Sequence, residues 1–319
     1  MNNAEDTAMF RGIWGSLALG AIGDTLGRPV EGWDYASIDA RYGRLLNPGQ
    51  GDYDQTKWGD IGTDDTALVQ ILCHCYVNKG GPISVEDYGR QWLDEMKEPE
   101  KFYHCMLNTY ELLKQGYSAR LTGTFNIATG CGIMAISPVG MFNAGDPDRA
   151  YIDGIDLASL VQRDIDMLAP GIIAAAVAEA LRPNATIDTV IDAAIRVAPT
   201  EPIVTFDKRQ PDNLRETIEH AIHVGSKFDD VFAAREALYA SCLQYDRIDA
   251  QEVLSLTFGL LRASSGDPRQ AVIGGANIGR DADTIASLCG QVCGALHGIE
   301  EVPGDWIQSL VQANGYKEL

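Results

Sequence analysis

Apolar residues recur at helical spacing through most of this chain. In residues 7–22, for example, Phe10, Ile13, Trp14 and Leu17 fall on one side of a helix. No run of alternating apolar and polar residues is long enough for a sheet, and Ala-rich segments favour helix. The pattern therefore predicts an all-α chain of roughly a dozen helices, within residues 7–22, 62–81, 84–97, 102–115, 149–166, 170–181, 186–197, 212–224, 230–245, 249–260 and 268–274, and from about Thr284 onwards.

Glycine, proline and asparagine separate these periodic segments. The first helix is predicted to stop at Gly23-Asp24, and GDTLGRPVEGW then reads as a loop. Residues 39–60 lack a sustained period and are predicted to form a long loop, while residues 123–145 are rich in glycine. Neither a repeat nor a convincing linker is visible, so we expect residues 1–319 to form a single compact multi-helix domain.

Composition narrows the classes of partner. A hydrophobic content of 45% is ample for a buried core, and 45 acidic against 25 basic residues give a formal charge of −20. That charge disfavours a nucleic-acid backbone and an anionic membrane surface as partners. The seven cysteines are an odd number and mostly lie in apolar helical patterns, which indicates reduced thiols in a cytoplasmic protein. No signal peptide is recognisable, and the apolar residues 172–181 are too few to span a bilayer.

Two acidic clusters stand at predicted helix starts, more than two hundred positions apart. The first comprises Thr63, Asp64 and Asp65, and the second Asp281, Asp283 and Thr284. Each cluster alone is more typical of an ordinary helix cap than of a metal site. If the two helix starts converge, however, four carboxylates share one site, where like charges ~4 Å apart repel by about 4 kcal/mol at an effective dielectric of 20. Such a site needs cations or raised pKa values, and hard oxygen ligands select Mg²⁺, Mn²⁺ or Ca²⁺ over zinc.

The segments GDTLGRPVE, GTDDTALV and GRDADTIA, in this order on an all-helical chain, resemble the ADP-ribosylglycohydrolase family, which includes the dinitrogenase-reductase-activating glycohydrolases. The resemblance spans almost the whole chain, from Gly15 to about Gly298. It implies a compact all-α fold with two divalent cations, Mg²⁺ or Mn²⁺, in a central cleft. It further implies the metal ligands Thr63, Asp64, Asp65, Asp281, Asp283 and Thr284.

By the same resemblance, Glu31 matches the acidic loop residue that lies near the substrate ribose in the family. Hydrolysis of an N-glycosidic bond passes through an oxocarbenium-like state that nearby carboxylates stabilise. Asp64 and Glu31 are both candidates for the catalytic residue that takes the proton from water. The sequence does not distinguish between them.

The part of the cleft that would hold diphosphate and adenosine departs from the family pattern. Met134 is followed by Ala135 where relatives often have arginine, and Gln162 and Arg163 stand where a histidine is common. The residues Thr129, Gly130 and Gly132 of the TGCG segment are candidate substrate contacts, because glycine-rich turns present backbone N–H groups to phosphates. A tight turn between helices explains the same segment equally well.

These features lead to a ranked set of functions. The first is a metal-dependent hydrolase that releases ADP-ribose from a modified protein side chain, arginine being the usual family substrate, or from a related ADP-ribose derivative. The second acts on a smaller N-ribosyl compound such as a nucleoside, which would explain the missing distal residues. The third is a non-catalytic binding protein of the same fold, although every ligand position of the motifs is filled.

Other candidate sites are weaker. Cys289, Cys293 and His297 are spaced to share one helix face, which is compatible with zinc but more typical of a helix core. GAIGDTLG follows a predicted helix instead of a strand, so it lacks the context of a dinucleotide-binding loop.

Overall fold

Short polar side chains begin many of the helices. The computed structural model describes residues 7–59, 62–127, 129–201, 213–243 and 246–313. Thr7 accepts a hydrogen bond from the N–H of Phe10, and Ser84 and Thr186 each form a reciprocal capping box. These contacts satisfy N–H groups that have no partner within the helix itself.

The helices and their bounds are α1 (Ala8–Gly27), α2 (Tyr35–Tyr42), α3 (Gln55–Trp58), α4 (Asp64–Lys79), α5 (Val85–Glu95), α6 (His104–Lys114), α7 (Ala119–Thr122), α8 (Ser137–Phe142), α9 (Pro147–Ala158), α10 (Leu168–Ala180), α11 (Ile187–Val197), α12 (Leu214–Gly225), α13 (Val231–Cys242), α14 (Ala250–Ala263), α15 (Pro268–Ile278), α16 (Ala282–His297) and α17 (Gly304–Ala313). No strand occurs within the described ranges, where the only strand-like pairing is an isolated bridge between Asp34 and Gly279. The all-α prediction is confirmed.

Helices α1 and α16 form a close seam at the centre of the molecule. A Cβ atom added at Gly23 would lie 2.3 Å from the carbonyl oxygen of Ala286, and one at Gly294 would lie 2.2 Å from that of Gly15. Backbone therefore packs directly on backbone along this seam. The C-terminal end of α1 and the N-terminal end of α16 meet there, since Gly27 is similarly close to Ala282.

Helix α10 forms a second part of the core. Every residue from Ala169 to Ala180 is buried, and α8, α9, α11 and α16 pack around it. Small side chains allow this close approach on all faces, and a helix that is apolar all round is stable only when it is enclosed. No described helix is long and apolar enough to cross a membrane.

Several predicted boundaries are wrong. Helix α1 continues through Gly23-Asp24 to Gly27, because packing against α16 outweighs the helix-breaking tendency of its glycines. The predicted loop 39–60 contains the end of α2 and the short α3. The side chain of Asp34 caps the start of α2. The glycine-rich segment 123–145 contains α8, which has proline in its first turn.

Other helices differ in length. The predicted helix 149–166 ends at Ala158, and residues Asp164–Met167 form a separate 3₁₀ turn. The helix predicted to end at residue 274 continues to Ile278, because its glycines pack against α13 and α16. The predicted ends at Asp60, Asp212 and Tyr245 lie outside the described residues.

Candidate metal and substrate site

The fold brings the two acidic helix starts together in one cavity. Asp64 and Asp65 from the start of α4, and Asp281, Asp283 and Thr284 from the start of α16, line a cavity of about 190 Å³ with Glu31 at its mouth. One carboxylate oxygen from each of Glu31, Asp281 and Asp283 lies within 4.8 Å of the others. Convergence of the two motifs, on which the sequence argument depends, is therefore present in the structure.

The two helix starts use their polar residues differently. Thr63 caps α4, and its hydroxyl accepts a hydrogen bond from the N–H of Asp65 at 3.2 Å. Asp281 occupies the N-cap position of α16, yet its side chain makes no capping hydrogen bond. Helix capping thus explains Thr63, which does not line the cavity, but it does not explain the carboxylate of Asp281.

Burial and mutual repulsion shift the acidity of the cluster strongly. Burial raises the pKa of Asp65 and of Asp283 well above the usual range, and neighbouring carboxylates raise both pKa values further. The pKa of Asp64 rises to about 6, mainly through burial and against a hydrogen bond from the N–H of Tyr103. Burial also raises the pKa of Glu31, whereas the positive charges of Arg247 and Lys57 oppose that rise.

At this cluster, three buried carboxylate oxygens have no hydrogen-bond donor among the described residues: Oδ1 of Asp24, Oδ2 of Asp65 and Oδ1 of Asp283. An unsatisfied buried carboxylate oxygen is costly, and a divalent cation removes that cost. The candidate metal ligands are carboxylate and hydroxyl oxygens, which Mg²⁺ and Mn²⁺ prefer. The residues present therefore fit hard divalent cations.

A short loop fixes the second cluster against Glu31. The N–H of Gly32 donates to the carbonyl of Arg280 at 2.6 Å, and the N–H of Arg280 donates to the carbonyl of Trp33 at 2.7 Å. Arg280 has a positive φ of 62°, which is uncommon for a residue with a side chain. Its guanidinium also contacts the fully buried Glu252 of α14 at 2.7 Å. The two backbone hydrogen bonds of Arg280 connect the loop after α1 to the start of α16, and its ion pair connects both to α14.

Asp24 is a site residue that the sequence analysis missed. Its Oδ2 accepts hydrogen bonds from the N–H of Thr63 at 2.8 Å, the N–H of Thr66 at 3.1 Å and the hydroxyl of Thr66 at 2.5 Å. Asp24 is fully buried, and burial raises its pKa. The carboxylate thus ties the first turn of α4 to α1 behind the cavity. The motif GDTLGRPVE contains this residue, but the segment was predicted to be a loop, from which no contact of Asp24 could be inferred.

The glycine-rich segment lies beside the acidic cluster. Thr129 and Gly130 line the cavity, whereas Gly132 instead packs against the side chain of Gln162. The N–H of Gly130 donates to the carbonyl of Ile248 at 2.6 Å, so this N–H is not free to bind a phosphate, contrary to the expectation from the sequence. Gln162, the residue near the missing histidine, is buried and donates to the carbonyl of Thr129.

The cysteines differ in part from the prediction. Five are free, as expected, but Cys105 of α6 and Cys131 of the glycine-rich segment are joined by a disulfide. Cys289 and Cys293 are fully buried in α16, and among the described residues they belong to no cluster with metal-ligand geometry. The core interpretation of these two cysteines therefore holds.

Four further cavity residues gave no sequence signal: Lys57, Tyr103, Met106 and Ile248. They lie on α3, on α6 or just before it, and in the loop before α14. They reach the cavity only through the packing of distant segments, and Tyr103 contributes a backbone N–H that any residue except proline could supply.

Comparison with known proteins agrees with this architecture. A sequence model of the ADP-ribosylglycohydrolase family matches residues 6–319. The chain is 27% identical to the uncharacterized protein YegU of Escherichia coli K12 over 306 residues, covering 91% of this chain and 89% of the relative. It is 24% identical to the ADP-ribosylhydrolase ARH3 of Bos taurus over 353 residues, covering 99% and 91%. A solved structure described as an ADP-ribosylglycohydrolase-related protein complex superposes with a TM-score of 0.68 at 19% identity, covering 95% and 92%.

Proposed function

The chain belongs to the ADP-ribosylglycohydrolase family, a family of glycosidases, and from that membership we propose that it releases ADP-ribose from an ADP-ribosylated protein side chain. Arginine is the first candidate for that side chain, and two divalent cations assist the reaction. The observation that carries this proposal is the convergence of Glu31, Asp281 and Asp283 within 4.8 Å beside the acidic start of α4.

The proposed metal ligands are the six residues that the motifs supply: Thr63, Asp64, Asp65, Asp281, Asp283 and Thr284. The unsatisfied oxygens of Asp65 and Asp283 are the strongest support for them. Thr63 is the weakest member, because its hydroxyl accepts from the N–H of Asp65 and it stands outside the cavity wall. When bound, divalent cations would orient the ribose hydroxyls and lower the pKa of water.

The protein's own carboxylates account for the remaining chemistry. An oxocarbenium-like state carries positive charge, which Glu31 at the mouth and Asp64 inside the cavity would stabilise electrostatically. Asp64 lines the cavity, and its contact with the N–H of Tyr103 at 3.1 Å fixes its orientation. We therefore assign to Asp64 the role of the general base that accepts a proton from water.

A second candidate function follows from the size of the cavity. At about 190 Å³ it is smaller than the ~300–1,000 Å³ of most ligand pockets, so its enclosed part matches a ribosyl group better than a whole ADP-ribose. A hydrolase of small N-ribosides would need nothing beyond this volume. ADP-ribose requires in addition a place for its diphosphate at the open rim.

A substrate panel tests the proposal. We expect the protein with Mg²⁺ or Mn²⁺ to release ADP-ribose from an arginine-ADP-ribosylated protein, measured by chromatography of the released nucleotide. EDTA should abolish that release, and an excess of Mg²⁺ should restore it. Turnover of nucleosides at an equal or higher kcat/KM would favour the second function. No release of ADP-ribose from any acceptor at any metal concentration would overturn the proposal.

A further inference from the structure

Two positive side chains stand at the edge of an otherwise acidic cavity. Lys57 of α3 lines the cavity, and Arg247, in the loop before α14, lies close enough that its charge is the strongest one acting on Glu31. Both side chains are exposed. The chain has 45 acidic and 25 basic residues, so this pair of positive side chains contrasts with the negative charge of the protein as a whole.

The backbone around Gly32 fixes the position of Arg247. A Cβ atom at Gly32 would lie 3.3 Å from Cζ and 3.4 Å from Nε of Arg247, so the guanidinium rests on this glycine, directly after Glu31. The next residue, Ile248, lines the cavity and accepts the hydrogen bond from the N–H of Gly130. The guanidinium therefore stands between the Glu31 loop and the segment that borders the glycine-rich turn.

Lys57 lies on a short helix that an aromatic contact anchors. Its neighbour Trp58 packs edge-to-face on Phe102 with ring centroids 5.0 Å apart, which anchors α3 next to Tyr103 at the cavity wall. The lysine charge acts on both Glu31 and Asp64. Within the described residues neither Lys57 nor Arg247 forms an ion pair with a carboxylate, so both cations remain available to a ligand.

The cluster itself does not require these cations once metals are bound. The cavity contains the five carboxylates Glu31, Asp64, Asp65, Asp281 and Asp283, and two divalent cations would offset four of their five negative charges. Lys57 and Arg247 would then give the mouth of the cavity a net positive charge. Phosphate groups would also find little help from the glycine-rich turn, because the N–H of Gly130 is already engaged.

We propose that Lys57 and Arg247 form an anion subsite at the mouth of the cavity, which binds the diphosphate of an ADP-ribosyl substrate. This inference rests on the proposed function, and it names the part of the substrate that the small enclosed cavity leaves outside. Arginine and lysine are the side chains that most often bind phosphate oxygens, arginine through two parallel hydrogen bonds. The pair would select phosphate-bearing ribosides over nucleosides.

Calorimetry with ADP-ribose and Mg²⁺ tests the subsite in Lys57→Gln, Arg247→Gln and the double variant. We expect the Kd for ADP-ribose to rise by about tenfold for each substitution, which is the usual scale of a charge-assisted contact. Arg247→Lys should recover part of the affinity, and added salt should weaken binding less in the double variant than in the unmodified protein. Lys114→Gln, an exposed lysine on α6 that pairs with Glu111, is the matched control and should leave the Kd unchanged.

A phosphate-free riboside separates binding of the diphosphate from a structural role. Its Kd should stay within about twofold of the unmodified protein's in all variants, whereas a parallel loss for riboside and ADP-ribose would overturn the subsite. An unchanged Kd for ADP-ribose in the double variant would also overturn it, even if the protein hydrolyses ADP-ribosyl substrates normally. Conversely, charge-dependent ADP-ribose binding by a protein that hydrolyses no substrate would support the subsite and reject the proposed function.

Discussion

Asp283 illustrates at the scale of a single residue how the site departs from ordinary protein packing. Its carboxylate is buried among Glu31, Asp65 and Asp281, and its Oδ1 has no donor in the described structure. Such an arrangement weakens the metal-free protein, and a cation that the carboxylates share would reverse the effect.

Asp283→Asn is therefore expected to have opposite effects on stability and function. The metal-free variant should melt at a higher temperature than the unmodified protein, because one buried negative charge is gone. Its turnover should fall by about a hundredfold or more, the scale seen when a group that stabilises the transition state is lost, and Mg²⁺ should no longer raise its melting temperature. Scanning calorimetry with and without Mg²⁺ measures the first and third effects, and metal analysis gives the stoichiometry. Asp94→Asn, at an exposed position on α5, is the control. Full metal content and activity in Asp283→Asn would show that the site assignment is wrong.

Thr66 tests whether Asp24 positions the start of α4. Thr66→Val removes the hydroxyl that donates to Asp24 Oδ2 at 2.5 Å and leaves the two backbone donors in place. We expect a loss of about 1–3 kcal/mol in the free energy of unfolding, the usual effect of removing a hydrogen bond to a charged group. Because Asp64 and Asp65 directly precede Thr66 in the first turn of α4, kcat should fall while the KM for substrate changes little. Thr66→Ser retains the hydroxyl and should restore both quantities, and equal kcat in all three proteins would contradict the positioning role.

At the scale of helices, the seam between α1 and α16 decides the distance between the two halves of the site. Gly23→Ala places a methyl group 2.3 Å from the carbonyl oxygen of Ala286, which the backbone must move to accommodate. We expect a loss of about 3 kcal/mol, at the upper end of the usual cost of overpacking, together with reduced activity. Gly81→Ala is the matched control, since no atom lies within 4 Å of its Cβ position and its φ is unremarkable, and it should be close to neutral. Urea denaturation of the two variants measures the difference, and equal midpoints would refute the importance of the seam.

Sequence patterns reveal helices best where one face is apolar and the ends are capped. That explains the success at α5 and α11, whose Ser84 and Thr186 capping boxes are readable from local sequence. The same reasoning fails for α1, because Gly23 and Gly27 read as a helix end unless the contact with α16 is known. It also fails for α2, a short helix with a single buried residue, Ile38.

The site residues also divide into those that local sequence motifs mark and those that they do not. Asp64, Asp65, Asp281 and Asp283 stand in compact motifs, so their chemistry was visible before their proximity was. Lys57, Tyr103 and Ile248 reach the cavity from three separate segments, and no local pattern marks them. Asp24 was hidden for another reason: its contacts are mostly to backbone N–H groups, which leave no trace in the residue types of the partner segment.

At the scale of the whole molecule, the acidic cluster predicts how stability varies with pH. The pKa of Asp64 is about 6 in the folded protein against 3.8 for the ordinary group, so the folded state retains a proton that the unfolded chain releases first. Stability from this group is fully present below about pH 4 and is lost as the pH rises through about 6. Asp65 and Asp283, whose pKa values are raised further, extend the decline to higher pH.

We therefore expect the melting temperature in EDTA to fall between pH 5 and pH 7.5, by roughly 2–4 °C for each kcal/mol of lost stability. Asp64→Asn keeps an oxygen for the N–H of Tyr103 but cannot ionise, so its melting temperature should fall less over the same range. Added Mg²⁺ should raise the melting temperature most at the highest pH, because the cation then competes with fewer protons. A melting temperature in EDTA that rises across this range to the same extent in both proteins would contradict the raised pKa of Asp64.

The glycine seam between α1 and α16 has a consequence for how such a site can diverge. Because the two helices meet main chain to main chain at Gly15, Gly23, Gly290 and Gly294, the spacing of the carboxylates does not depend on the identity of large side chains between them. Substitutions in the surrounding core can therefore accumulate without moving the acidic cluster. The rim formed by Lys57, Arg247 and the glycine-rich segment lies on loops and short helices outside this seam. Substrate preference can thus change during evolution while the reacting centre keeps its geometry.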